Sequence, residues 1–220
     1  MSGDPRPPAA VCFSGGKDST LAIDRAIRAG YRAPLLVTLY DGPSERVRFH
    51  GVPAKVMRAQ AAALGLDTLL RPTTPETFER VFLETLAELR ERGIRDVIFG
   101  NIHLADVRAW YEERVRAASL SHVEPLWGEE PRALVEEIVA RGYRALVTCV
   151  EDARSDPTWL GATIDAALID RFVACGVDAC GERGEYHTLV TDGPLFRHPL
   201  TVRTGTTHTT NGFTQLDIAL

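Results

Sequence analysis

The stretch Ala9-Ala10-Val11-Cys12-Phe13-Ser14-Gly15-Gly16-Lys17-Asp18-Ser19 decides how the rest of the chain is read. It opens with an apolar run of strand length, turns on two glycines, and continues through Leu21, Ile23, Ala26 and Ile27 with helical spacing toward Gly30. A strand that feeds through glycine into a helix aims successive backbone N–H groups, the positive end of the helix dipole and one ammonium at a single spot. The ligand suited to such a spot is a polyphosphate. Ser14, Gly15, Gly16, Lys17, Asp18 and Ser19 are therefore the first candidate binding residues. Of the 25 basic residues only Lys17 and Lys55 are lysine, so a chain that otherwise uses arginine places a compact point charge in this turn.

Outward from the turn, Leu35 to Leu39 is a second buried strand, which completes a βαβ unit. Tyr40 to Gly51 is polar and turn-rich, and a loop leaving the carboxyl end of a parallel strand borders the ligand crevice, which makes His50 a candidate. A helix is expected from Pro53 to Gly65, and a capping box at Thr73 to Glu76 should start another that carries Phe78, Val81, Phe82, Leu86 and Leu89 on one face. Ile94 to Phe99 reads as a strand ending in Gly100-Asn101-Ile102-His103, and glycine at that end lets a ligand approach the backbone. A helix from Ala105 to Ala118 follows with Arg108. Alternating strands and helices predict a parallel sheet covered on both faces.

Pro125-Leu126-Trp127-Gly128 marks a change of organisation. Beyond it we expect a helix (Pro131 to Arg141), a strand (Ala145 to Val150), a helix around Ile164 to Val173, and a threonine-rich strand-and-loop edge at Thr201 to Thr210. The division falls into residues 1–128, which bind nucleotide, and residues 129–220, a smaller α+β part for a second substrate.

At 220 residues with 45% hydrophobic content, the chain can bury a sizeable core. Its net charge of −5 argues against a broad nucleic-acid surface. The four cysteines form no CxxC pair, and neither a secretory leader nor a long apolar span is visible, so a cytoplasmic protein with reduced thiols is expected, with no membrane partner. Cys175 and Cys180 read as small buried side chains. Met1 to Pro8 reads as a frayed terminus. A homo-oligomer is compatible with all of this.

The second chemically distinctive stretch is Gly181-Glu182-Arg183-Gly184-Glu185-Tyr186-His187-Thr188. Two glycines free the backbone and two carboxylates sit three residues apart, with His187 close behind. A loop of that kind can hold an ammonium, take a proton from an attacking amine or bind a metal. It leads into a strand that ends in a tight turn at Asp192-Gly193-Pro194.

The first turn is not a Walker A loop, because Val11 stands where the first glycine belongs and Asp18 follows the lysine. SGGKDS instead resembles the pyrophosphatase loop of the N-type ATP pyrophosphatases. Over nearly its full length the chain resembles the diphthine–ammonia ligase family. The resemblance runs from SGGKDS through RFHGVP (Arg48 to Pro53), FGNIH (Phe99 to His103), EPLWG (Glu124 to Gly128) and WLG (Trp159 to Gly161) to GERGEYHTLVTDGPLF. It implies an N-terminal Rossmann-like sheet of the adenine nucleotide alpha hydrolase type and a C-terminal part with the glutamate-rich loop. It also implies adenylation of a carboxylate, with AMP and pyrophosphate released, followed by amination with ammonia; eukaryotic and archaeal members act in this way on diphthine of elongation factor 2.

Carried over, the resemblance assigns ATP and Mg²⁺ to this chain. Ser14, Gly15, Gly16, Lys17, Asp18, Ser19, His50, Gly100 and Asn101 would bind ATP, and Asp18 is either a Mg²⁺ ligand or a helix cap. Lys17, Glu182, Glu185 and His187 would act in catalysis, and Arg108, Gly184, Tyr186 and Thr188 would hold the acceptor. Three positions depart from the family: Asn101 replaces an aspartate, Val107 precedes Arg108 where histidine is usual, and the glutamate loop has Arg183 and His187. That loop looks like a bacterial branch for which other acids, such as corrinoid acids, have been proposed as acceptors. Two other functions share the α/β half, a nucleotide-binding sensor without turnover and a tRNA-modifying enzyme.

Overall fold

The computed structural model describes residues 8–32 and 34–220. Apart from Pro8, the frayed terminus expected for Met1 to Pro8 lies outside them. The first half is a five-stranded sheet in the order β3-β2-β1-β4-β5, made of β1 (Ala9–Cys12), β2 (Leu35–Asp41), β3 (Thr68–Thr73), β4 (Asp96–Ile98) and β5 (Ser121–Val123). Every pairing in it is parallel. β1 is central, and Ala9, Ala10 and Val11 are buried, as expected of a strand covered on both faces.

Four helices connect and cover this sheet: α1 (Lys17–Arg28), α2 (Ala54–Leu64), α3 (Phe78–Glu91) and α4 (Ala105–Ala117). Ala10, Val37, Phe82, Leu86 and Val97 pack on one face, and Val11, Leu21, Ile23, Leu36 and Ile98 on the other. The sheet is thus Rossmann-like with helices on both faces.

Two local expectations are corrected. Thr73 to Glu76 is not a capping box: Thr73 ends β3, and α3 starts at Phe78 behind Thr77, whose Oγ1 accepts from the Thr74 N–H at 2.8 Å. β3 and β5 were not anticipated. β3 carries Pro72, which an edge strand tolerates because one side of it needs no donor. β5 is three residues long and includes His122, too short for a periodic signal.

The second half holds α5 (Pro131–Ala140), α6 (Ala166–Ala174) and an antiparallel sheet in the order β7-β6-β9-β8. Its strands are β6 (Arg144–Glu151), β7 (Tyr186–Asp192), β8 (Arg203–Thr210) and β9 (Phe213–Ala219). The threonine-rich stretch is the exposed edge strand β8. Cys175 is exposed rather than buried, because it caps the end of α6, whereas Cys180 is buried as expected. The two sheets lie on either side of residue 128, yet one apolar cluster runs through both halves, from Val11 and Leu21 to Val135, Val147, Phe172 and Tyr186.

A polar joint reinforces that shared core. Asp24 of α1 is 1% exposed, and its carboxylate accepts from Tyr143 Oη at 2.5 Å, Arg141 Nη1 at 2.9 Å and Arg28 Nε at 2.5 Å. Arg25 reaches Glu129 and Glu137 on the same side. A buried carboxylate is tolerated only when fully paired, and Asp24 is.

Candidate functional site

The turn after β1 is held from two directions. Gly15 has φ +82°, a left-handed conformation that favours glycine, and an added Cβ would sit 2.6 Å from Gln60 Oε1. Its carbonyl accepts from the Gln60 side-chain amide at 2.9 Å and from the Val190 N–H of β7 at 2.9 Å. Gln60, wholly buried, also donates to the Val190 carbonyl at 2.7 Å, so one side chain of α2 clamps the turn to the edge of the second sheet. The Lys17 N–H donates to Thr188 Oγ1 at 3.0 Å. Gly16 occupies the cap position of α1 with no side-chain cap, and an added Cβ there would meet His50 Cε1 at 2.8 Å. Thr188 thus meets the first N–H of α1, and a helix start whose own cap residue offers no side-chain acceptor suits an anion at its other N–H groups.

Lys17 is 2% exposed, and its ammonium donates to Asp18 Oδ2 at 2.8 Å and to the Cys180 carbonyl, lying 4.8 Å from the centre of the Tyr186 ring. Burial is the largest influence and opposes its charge, but the Asp18 carboxylate together with Tyr186 and Cys180 outweighs it and holds the ammonium above the usual lysine range. Burial pushes the Asp18 carboxyl up, against the pull of Lys17. The lysine expected to neutralise phosphate charge is therefore already engaged by its neighbour and by the second half of the chain.

Above this joint lies a cavity of about 550 Å³. Ser14, Lys17, Asp18, Ser19, His50, Gly100 and Asn101 line it from the first half, and Glu182, Tyr186, His187 and Thr188 from the second. The structure thus brings together most of the residues singled out in two distant stretches. Gly15 and Gly16 sit just behind the wall as the hinge of the turn. Gly100 has a different reason for being glycine than the one expected: an added Cβ would come within 2.9 Å of the Asp18 and Ser19 backbone, so it is the phosphate-type turn itself that packs on it.

Glu182 Oε1 accepts from the Ile102 N–H at 3.0 Å, and burial, followed by the Asp18 charge, raises its pKa to about 7. Asn101 donates its amide to Glu124 Oε1 at 2.7 Å, which fixes how it faces the cavity. His50 bonds the Thr188 carbonyl through Nδ1 at 3.0 Å, and burial lowers its pKa to about 4. Burial, then His50 and Lys17, hold His187 well below the usual histidine range. Both rings are neutral at pH 7, and their centroids are 4.7 Å apart.

Besides Gly15 and Gly16, three candidates fall outside the cavity wall. Glu185 is 3% exposed and turned toward Arg154, 3.2 Å away, with its carbonyl accepting from the Glu151 N–H at 2.8 Å and from Ser155 Oγ at 2.7 Å. The cause is that the stretch read as one loop is already strand β7 from Tyr186 onward, and Glu185 is fixed at the ladder end beside β6. Gly184, φ +88°, belongs to the turn before it. Arg108 pairs with Glu124 at 3.1 Å and lies 4.4 Å from the Trp127 ring, behind Asn101 rather than in the cavity.

Other lining residues went unnoticed. Cys12, Phe13, Val37 and Leu39 form an apolar floor, and Phe78, Phe82, Phe99 and Tyr111 an aromatic wall. Phe78 and Phe82 read as a scaffold face because helical spacing does not distinguish packing on a core from lining a cleft. Arg48 also lines the cavity, although it lies inside the quoted RFHGVP stretch.

For Mg²⁺ the test is the donor set. No group of three His, Cys, Asp or Glu side chains that could hold a metal ion exists among the described residues. One or two carboxylates facing a phosphate site fit a cation that takes most of its ligands from phosphates and water, and Asp18 and Glu182 meet that description.

A Rossmann-like sheet whose first turn and a second acidic turn face one cavity defines an α/β protein of the PP-loop type. The comparisons place it within that class: the diphthamide synthase N-terminal domain matches residues 8–121 and the C-terminal domain residues 130–219, and the chain belongs to this family. A diphthine–ammonia ligase of Rattus norvegicus is 27% identical, over 89% of this chain and 82% of its own length. One of Homo sapiens is also 27% identical, over 88% and 82%. A solved structure described as a predicted subunit of tRNA methyltransferase from Methanocaldococcus jannaschii aligns with a TM-score of 0.47 at 17% identity, over 85% of this chain and all of that one, a likeness too low to inform either fold or activity.

Proposed function

We propose that the protein is an ATP-dependent carboxylate–ammonia ligase that adenylates an acid, releases pyrophosphate, and replaces AMP with ammonia. Residues 1–128 hold ATP in this reading, and residues 129–220, with lining residues of the first half, hold the acceptor. The observation that carries it is the clamp between the glycine turn and β7, which puts the candidate phosphate groups and Glu182 on one cavity wall. The family membership and the names of the relatives support the same class of reaction.

The start of α1, with the hydroxyls of Ser14 and Ser19, binds the leaving pyrophosphate, and Lys17 neutralises its charge after exchanging its contacts with Asp18 and the Cys180 carbonyl. Cys12, Phe13, Val37 and Leu39 supply an apolar surface for the base. Asp18, together with the phosphates, would hold Mg²⁺, which would offset their charge. Glu182 orients ammonia and takes its proton, a role that suits a carboxyl with a pKa about 7. Glu185 acts indirectly, by fixing the end of β7. The acceptor is a protein side chain or a small molecule bearing a carboxylate.

The test is incubation with ATP, Mg²⁺, ammonium and a panel of carboxylic acids including diphthine-bearing elongation factor and corrinoid acids. AMP and pyrophosphate are the expected products; ADP and phosphate would refute the reading. One observation favours a nucleotide sensor as second reading: Lys17 is already paired. In that case Lys17→Ala would weaken ATP binding while the wild type released no pyrophosphate with any acid.

A further inference from the structure

Two buried nitrogens on the cavity wall have no hydrogen-bond partner, Arg48 Nη2 and His187 Nε2. An orphaned donor on a wall is costly unless something else meets it there. Among the described residues Arg48 makes no ion pair. Its guanidinium carbon is 5.5 Å from the centre of the Phe78 ring, a contact that occupies the ring-facing side and leaves the N–H groups of its edge for a ligand. Since Lys17 is neutralised by Asp18, Arg48 is the uncommitted cation of the lining.

The residue between Arg48 and His50 is equally unusual. Phe49 is 62% exposed and has φ +64°, rare for a bulky side chain. Its ring stacks on His187 of β7, centroids 5.9 Å apart and planes at 24°. A large aromatic held in a strained backbone at the edge of a cavity, rather than folded into the core, offers a flat apolar surface to whatever enters. With His187 neutral, Arg48 is the cation of this corner, and its charge is felt by the Asp41 and Glu76 carboxyls, neither of which it bonds.

We propose that Arg48, Phe49 and His187 form the acceptor subsite, and that it selects a small acid whose carboxylate meets the Arg48 edge while an aromatic or other flat body lies on Phe49. None of the three belongs to the turn after β1 that would hold the phosphates: Arg48 and Phe49 lie on the loop after β2 and His187 on β7, and on that ground the corner is assigned to the acceptor. The proposal rests on the ligase reading for the word acceptor, but the binding it describes is measurable without turnover.

The experiment is calorimetric titration of the protein, saturated with the non-cleavable analogue α,β-methylene-ATP, with benzoate, acetate and uncharged benzamide. Benzoate should bind more tightly than acetate, and benzamide should not bind. Arg48→Met should weaken benzoate by about tenfold or more, the scale of a lost charge-assisted hydrogen bond, and leave the analogue's affinity within about threefold. Phe49→Asn, which tolerates the left-handed backbone and removes only an exposed ring, should erase the preference of benzoate over acetate. If Arg48→Met weakens the analogue and spares benzoate, Arg48 serves the nucleotide and the proposal is overturned; it is equally overturned if no carboxylate binds the wild type. Pyrophosphate release is scored separately, so a protein that binds benzoate through Arg48 without cleaving ATP would sink the ligase reading and keep the subsite.

Discussion

Gln60→Leu tests whether the clamp between the two halves is as consequential as its geometry suggests. The substitution nearly preserves volume, so its cost comes from hydrogen bonds rather than a cavity. Two bonds are lost, to the Gly15 carbonyl at 2.9 Å and the Val190 carbonyl at 2.7 Å. The Gly15 oxygen keeps the Val190 N–H, so that loss is about 1 kcal/mol. Val190 is wholly buried on edge strand β7, and stranding its carbonyl adds roughly 1–3 kcal/mol. Removing Gln60 Oε1, itself buried without a partner, returns part of this, for a net loss near ~2 kcal/mol. With an m value of about 2–3 kcal/mol/M, the urea midpoint should fall by close to ~1 M. Fluorescence of Trp159 in a Trp110→Phe, Trp127→Phe background, which follows the second half, and far-ultraviolet circular dichroism, which follows the helices of both halves, should shift together because the core is shared. A midpoint change under ~0.2 M, or two separated transitions, would refute the argument for a single clamped unit.

Three other outcomes follow from the site. Glu182 has a folded pKa of about 7 against an ordinary 4.5, so folding favours its protonated form; its contribution to stability is fully present below pH 4.5 and is lost as pH rises through 4.5 to 7, by up to about 3 kcal/mol. Glu182→Gln should flatten that decline in urea melts, and if Glu182 is the base, the rise in amide formation between about pH 6 and 8 should vanish with it. Glu185→Gln should leave turnover within about threefold, since the side chain is turned toward Arg154; a drop beyond a hundredfold in single-turnover pyrophosphate release would return Glu185 to the site. Asp24→Ala strands the buried Tyr143 Oη and leaves Arg141 with Glu137 as its remaining carboxylate, and a thermal melt should report about 1–3 kcal/mol of destabilisation; a loss below ~0.5 kcal/mol would show the joint to be dispensable.

The sequence by itself determined the fold of the first half. Strand, glycine turn and helix in immediate succession have few three-dimensional solutions, because local sterics and the helix dipole fix the turn before any packing is considered. Lys17, Asp18 and Ser19 were legible for that reason, and the alternation of buried runs with amphipathic helices was enough to predict a parallel sheet. β3 and β5 escaped because Pro72 and three-residue brevity erase periodicity, and edge position, which excuses both, is a tertiary property.

Only the tertiary structure decided which residues share the cavity. Glu182 and Glu185 look equivalent in sequence, three residues apart, yet the pairing of β7 with β6 fixes one beside Arg154 while the other accepts from the Ile102 N–H in the cavity. Gln60 and Thr188 carry no motif of their own; their importance comes from β7 lying against the glycine turn. Whether Arg48 is solvated or faces a ligand depends on Phe78, thirty residues away in the sequence and in contact only once the chain is folded. Local chemistry fixes which groups a segment can offer, but long-range packing, which excludes water from some of them and not others, fixes which are used.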